Sequence, residues 1–136
     1  MSVLTGQKVE ILIKNGLDVI KARRRGLEMA LALGFMQPEA TKIAVVISEL
    51  ARNIENYAGM GSITLTVQTE RPDYFEIIAE DTGPGIADIN KAMSPGYSTA
   101  KGLGVGLSGS KRLMDEFFIR STVGLGTTVK ARKWLR

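Results

Sequence analysis

Two runs, SITLTVQT (62–69) and DYFEIIAE (73–80), alternate apolar and polar residues and are joined only by the turn ERPD. Alternation is the period of a strand that buries one of its faces. Strands joined by so short a turn pair antiparallel, because a parallel pair needs a crossover of a dozen or more residues. Ile63, Leu65 and Val67 on the first run, and Phe75, Ile77 and Ala79 on the second, are therefore predicted to share one core-facing surface.

The flanking periodicities fix the rest of the architecture. KVEILI (8–13) reads as a short strand, and LDVIKARRRGLEMALALG (17–34) sets Leu17, Ile20, Leu27 and Leu31 at near-helical spacing before a terminating Gly34. Pro38 suits the first turn of a second helix, predicted over 38–58, with the stripe Ile43, Val46, Ile47, Leu50 and Ile54. Gly59 and Gly61 end it. Beyond the hairpin lie a glycine-rich segment (81–106) with a helical turn at ADINKAM, a third helix from Val105 to Phe117, and two closing strands, FIRSTV and GTTVKARKW. The order β-α-α-β-β-loop-α-β-β predicts an α/β (α+β) two-layer sandwich, a mainly antiparallel mixed sheet with helices on one face. A length of 136 residues fits one domain, 1–136.

That order decides how GVGLSG (104–109) is read. The string matches G-x-G-x-x-G, yet a dinucleotide turn follows a buried strand and is answered by an acidic residue about 20 positions on. Here polar PGYSTAKGL precedes it, and Asp115 and Glu116 come too early. What remains is a glycine stretch entering a helix N-terminus, where free N–H groups and the helix dipole favour phosphate.

The chain has no cysteine and no histidine. Disulfides, thiolate catalysis and the usual zinc ligands are excluded, and acid–base chemistry must run on carboxylates, amides, hydroxyls and backbone. The net charge of +4 is concentrated in KARRR (21–25) and KARKWLR (130–136). Solvated faces or an acidic protein partner account for these runs; the lack of interleaved aromatics speaks against nucleic acid. No apolar run approaches the ~20 residues of a membrane span, and the N-terminus has no signal-peptide pattern, so a cytoplasmic protein is expected.

Three segments carry candidate chemistry. Glu49 and Asn53 lie one helical turn apart at the edge of the second helix's apolar stripe, where they can enter a cleft or make local hydrogen bonds. Asp81 ends a strand and is followed by Gly83 and Gly85; its carboxylate accepts hydrogen bonds, as an exocyclic amine such as adenine N6 requires, although D-x-G is also a common turn. In GYSTAKGLGVGL, Gly102, Gly104 and Gly106 with Lys101, Ser98 and Thr99 supply backbone and side-chain donors. In this order the three make a coherent ATP site.

ELARN, DTGPGI and GLGVGL look like the N box and the two glycine boxes of the GHKL (Bergerat-fold) ATP-binding superfamily. Within it, SELARNI, AEDTGPGI, GYST, GLGVGL, KRLMDEF and KWLR resemble the small anti-sigma-factor serine/threonine kinases of the RsbT type, the stressosome switch kinases, over nearly the whole chain. The resemblance implies that Asn53 coordinates Mg²⁺ and that Glu49 is the general base. It also implies that Asp81 binds adenine N6, with Gly83 and Gly85 letting the ring lie flat and Thr127 supporting the same edge. Gly102, Gly104 and Gly106 would wrap the ATP phosphates. Lys101, following Ala100 where a small residue is expected, either contacts phosphate or faces solvent. Tyr57 is a further candidate contact or a packing residue.

The implied activity is Mg-ATP-dependent phosphorylation of STAS-domain antagonists (RsbS/RsbR-like), with the released kinase binding and activating an RsbU-like phosphatase; neither nucleic acid nor membrane is involved. An anti-sigma factor or a non-catalytic ATP-binding switch has the same fold, but the presence of Glu49 argues against the latter. A complete histidine kinase needs a phosphoacceptor histidine, which is lacking here.

Overall fold

The computed structural model describes residues 7–69, 71–95 and 105–136. Its elements are β1 (Lys8–Ile13), α1 (Gly16–Leu33), α2 (Gln37–Asn53), a π-helical turn (Ile54–Ala58), β2 (Gly61–Gln68), β3 (Tyr74–Asp81), α3 (Ile89–Ala92), α4 (Gly106–Leu113), β4 (Glu116–Thr122) and β5 (Gly126–Trp134). Strand order in the sheet is β1-β2-β3-β5-β4, and all four ladders are antiparallel. The β2–β3 register sets Ile63 opposite Ala79, Leu65 opposite Ile77 and Val67 opposite Phe75. All six are buried, as their alternation predicts. Among the described residues no helix is long and apolar enough to cross a membrane.

On α2, Ile43, Val46, Ile47 and Leu50 are buried, with Ile54 continuing the stripe onto the π-helical turn. At Asn53 the α-helix passes into the π-helical turn, which carries the helical path to Ala58, and Gly59 ends it as expected. α1 departs from expectation. Its buried side is Val19, Ala22, Gly26, Met29, Ala30 and Leu33, whereas Leu17 is 72% exposed, Ile20 53% and Leu31 41%. Small residues win the inner face because they let two helices approach closely: a Cβ on Gly26 would collide with Ile47 Cδ1 of α2.

Asn15 caps α1, its Oδ1 accepting from the N–H groups of Leu17 (3.0 Å) and Asp18 (3.2 Å). Two otherwise orphaned donors are satisfied there. Asn15→Ala is expected to cost about 1 kcal/mol and to lower Tm by roughly 3–5 °C. An unchanged thermal melt would show that water satisfies those donors equally well.

The third helix is shorter than its apolar pattern implies, stopping at Leu113 instead of Phe117. Asp115 turns the chain: its Oδ2 accepts the Trp134 N–H (2.8 Å) and its Oδ1 pairs with Arg136 (3.0 Å). Phe117 then pairs opposite Ala131 in the β4–β5 ladder. Lys133 is buried, donating to the Leu113 carbonyl (2.9 Å) and pairing with Glu39 (3.1 Å). Lys42 and Lys133 together hold the Glu39 carboxyl below the ordinary carboxylate range. Arg132 pairs with Glu76 (2.7 Å) and lies 4.7 Å from the Tyr74 ring centre, while Tyr74 and Trp134 pack edge to face. The C-terminal basic run is thus largely consumed in tying the chain's end to α2, β3 and the end of α4. The run on α1 is not.

Candidate active site

α2 gives way to the π-helical turn at Asn53, where the Gly59 N–H reaches back to the Ile54 carbonyl (2.9 Å). Such wide turns recur at functional sites. Here it borders a cavity of about 410 Å³ between α2 and the sheet, closed by the 84–88 loop, α3 and α4. The apolar walls include Leu50, Ile54, Ala79, Ile86, Leu107 and Val129. Polar atoms are few: Asn53, Asp81, Asp88, Lys91, Thr127 and the half-exposed Tyr57. An apolar-walled cavity with sparse polar groups is the usual form of a small-molecule site.

Asp81, the last residue of β3, pairs opposite Gly61 on one side and Thr127 on the other. Its Oδ1 accepts the Gly83 N–H (2.9 Å); among the described residues Oδ2 has no partner. A carboxylate oxygen at the edge of an apolar slot is a ready acceptor for an aromatic amine. Neighbouring backbone crowds this end of β3: a Cβ on Gly126, whose φ is +130°, would collide with the Asp81 carbonyl oxygen.

The two glycines after Asp81 have different tasks. Gly85, at φ +79°, lines the cavity and lies so close to the Thr122 carbonyl that a Cβ would not fit. Gly83 is outside the lining, and the space its Cβ would need is taken by Ala58 Cβ at 2.6 Å. It lets the loop seat closely on the π-helical turn.

Thr127 is held by Ser121, whose hydroxyl lies 2.7 Å from Thr127 Oγ1 and accepts the Ile86 N–H at 2.7 Å. Ser121 therefore ties the cavity loop to the strand that carries Thr127. Sequence reasoning missed it, since a serine in FIRSTV gives no local signal.

Glu49 is only 3% exposed and does not line the cavity. Its Oε1 receives Arg52 Nη2 (2.9 Å) and its Oε2 receives the Gly106 N–H (3.2 Å). The first N–H of α4, expected on phosphate, is thus engaged by the carboxylate. Arg52, also missed, could have been found from its i,i+3 spacing to Glu49. Lys101, Gly102 and Gly104 lie outside the described residues.

Among the described residues no cluster of three carboxylates forms a resident metal site. Asn53 at the cavity wall fits instead a Mg²⁺ that arrives with phosphate oxygens and keeps several waters.

The cavity's residues belong to a recognisable group. Residues 39–136 match the model of the histidine kinase-, DNA gyrase B- and HSP90-like ATPases. The chain is 51% identical over 120 residues to "Serine/threonine-protein kinase RsbT" of Bacillus subtilis (strain 168), covering 88% of this chain and 90% of that protein. It is 33% identical over 104 residues to the anti-sigma F factor of Priestia megaterium, covering 71% of each. By structure it is similar to full-length ShkA in complex with AMPPNP (TM-score 0.55, 16% identity, 97% of this chain and 32% of that one). It is also similar to the mycobacterial sensor histidine kinase MprB (TM-score 0.54, 13% identity, 96% of this chain and 97% of that one). These two share the fold.

Proposed function

The chain belongs to the family of histidine kinase-, DNA gyrase B- and HSP90-like ATPases, and from that premise we propose that it is a serine/threonine protein kinase that uses Mg-ATP. Its substrates on this reading are STAS-domain antagonists (RsbS/RsbR-like), and once released from them it binds and activates an RsbU-like phosphatase. The relative at 51% identity is named as a serine/threonine-protein kinase. The observation that carries the reading is the placement of Asp81, Thr127 and Asn53 around one apolar slot, with Glu49 one helical turn behind Asn53.

Asp81 Oδ2 accepts adenine N6–H, and the Thr127 hydroxyl supports the same edge. Leu50, Ile54, Ala79 and Val129 exclude water from the ring faces. Asn53 would hold Mg²⁺, which would supply charge neutralisation in a reaction that depends mostly on positioning and electrostatics. Lys101, Gly102, Gly104 and Gly106 contribute donors to the phosphates. Glu49 accepts a hydrogen bond from the acceptor hydroxyl through a lone pair that Arg52 and Gly106 leave free. It takes that proton as the serine or threonine oxygen bonds to the γ-phosphorus and ADP departs.

The test is incubation of the purified chain with γ-labelled ATP, Mg²⁺ and an RsbS-like STAS-domain protein. Acid-stable label on a serine or threonine is expected, and chelation of Mg²⁺ abolishes it. The 33% identity to an anti-sigma F factor favours a second reading, sigma-factor binding through the same fold. Tight binding of a purified sigma factor with no label transfer would replace the first reading with the second.

A further inference from the structure

We propose that the outer face of α1 is a docking surface for an amphipathic helix of a partner protein, one presenting leucine-type side chains and a carboxylate opposite Arg24. The proposal deepens the partner-switching reading above by giving the partner a place to bind outside the transfer site.

Leu17, Ile20, Arg24, Leu27 and Leu31 follow a three-four-three-four spacing. At 100° per residue they fall within an arc of about 80°. This is the a/d seam of a helix pair, with one charged residue at a central a position. The buried face of α1 lies nearly opposite, so folding leaves the seam uncovered: Leu17, Ile20, Arg24 and Leu31 are exposed and Leu27 half-buried. None of the five lines the nucleotide cavity, and the ATPase family match begins at residue 39, beyond α1. Leu27 packs partly against the core, whereas Leu17, Ile20 and Leu31 serve neither the core nor the ATP site.

Charge selects the occupant. Lys21 and Arg25 make long within-helix contacts, with Asp18 at 4.0 Å and Glu28 at 3.7 Å. Arg23 and Arg24 have no ion pair or hydrogen bond among the described residues. A second copy of this chain fits poorly. A parallel in-register pair of copies sets Arg24 against its own copy, and an antiparallel pair along the seam still lays one basic run, 21–25, beside the other. Like charges so placed oppose association and reject wrong partners, whereas an acidic residue on a foreign helix is drawn in.

The probe is a synthetic helical peptide of about three heptads, with leucine at a and d, glutamate at the flanking e and g positions, and glutamate at the a position facing Arg24. Its control replaces every glutamate with lysine. The wild-type chain is expected to bind the acidic peptide roughly tenfold or more tightly than the control. Arg24→Glu should reverse that preference, and Leu17→Ser with Leu31→Ser should abolish binding of both. Thermal melts and ADP binding should match the wild type in each variant. Equal binding of the two peptides, or an order that Arg24→Glu does not change, overturns the proposal. So does wild-type dimerisation in sedimentation that the double serine variant removes, which would assign the seam to a second copy. Loss of peptide discrimination with intact phosphoryl transfer sinks this surface alone; intact discrimination without transfer sinks the kinase reading alone.

Discussion

Replacing Glu49 with glutamine is expected to slow phosphoryl transfer by about 10²- to 10⁴-fold, the usual contribution of a positioned general base. Glutamine keeps the shape and an oxygen that can still accept the Gly106 N–H; its amide NH2 then faces Arg52, whose 42%-exposed side chain can turn to solvent, so the fold and the first turn of α4 persist. It cannot take up the acceptor proton. ADP affinity should therefore stay near the wild-type value while single-turnover transfer collapses. Glu49→Ala is the poorer probe, because it leaves the Gly106 N–H and Arg52 without their partner. Each Glu49 oxygen already accepts one hydrogen bond, from Arg52 or from the Gly106 N–H, and each keeps a second lone pair that an acceptor hydroxyl can use. An E49Q chain that transfers phosphate at the wild-type rate removes Glu49 from the role of base.

Asp81→Asn is expected to weaken ATP and ADP binding by about 10- to 150-fold, corresponding to a charge-assisted hydrogen bond of roughly 1.5–3 kcal/mol. Asparagine retains an oxygen for the Gly83 N–H, so the turn is preserved. Its other atom becomes an amine that confronts adenine N6–H donor to donor. The effect should be specific to the exocyclic amine. A purine nucleotide lacking N6 should bind the wild type weakly and be indifferent to the substitution. Normal ADP binding by D81N removes Asp81 from the adenine site.

The strands were legible because each is half-buried and alternates, and β2–β3 could be aligned from their turn alone. α2 was legible for the same reason at helical period. α1 was legible as a helix ending at Gly34, but not in its packing face, because its largest apolar residues, Leu17, Ile20 and Leu31, are not the ones that pack. Ala22, Gly26 and Ala30 carry little hydrophobic signal, yet they allow the close approach to α2. MDEFF reads as helix until Asp115 meets Trp134 and Arg136, partners about twenty residues away that no local pattern discloses.

The site divides similarly. Asn53, Asp81, Gly85 and Thr127, picked out by motif, all line one cavity. Gly83 turned out to pack against Ala58. The engagement of Glu49 by Gly106, 57 residues on, and the brace at Ser121 depend on tertiary geometry and leave no mark in spacing.

A crystal structure of this chain with Mg²⁺ and AMPPNP is the most direct test of the nucleotide assignment. The expected result is adenine in the slot between α2 and the sheet, N6 within hydrogen-bond distance of Asp81 Oδ2, and the Asn53 side-chain oxygen on Mg²⁺. A nucleotide bound elsewhere, or bound here with its base away from Asp81 and its metal away from Asn53, contradicts it.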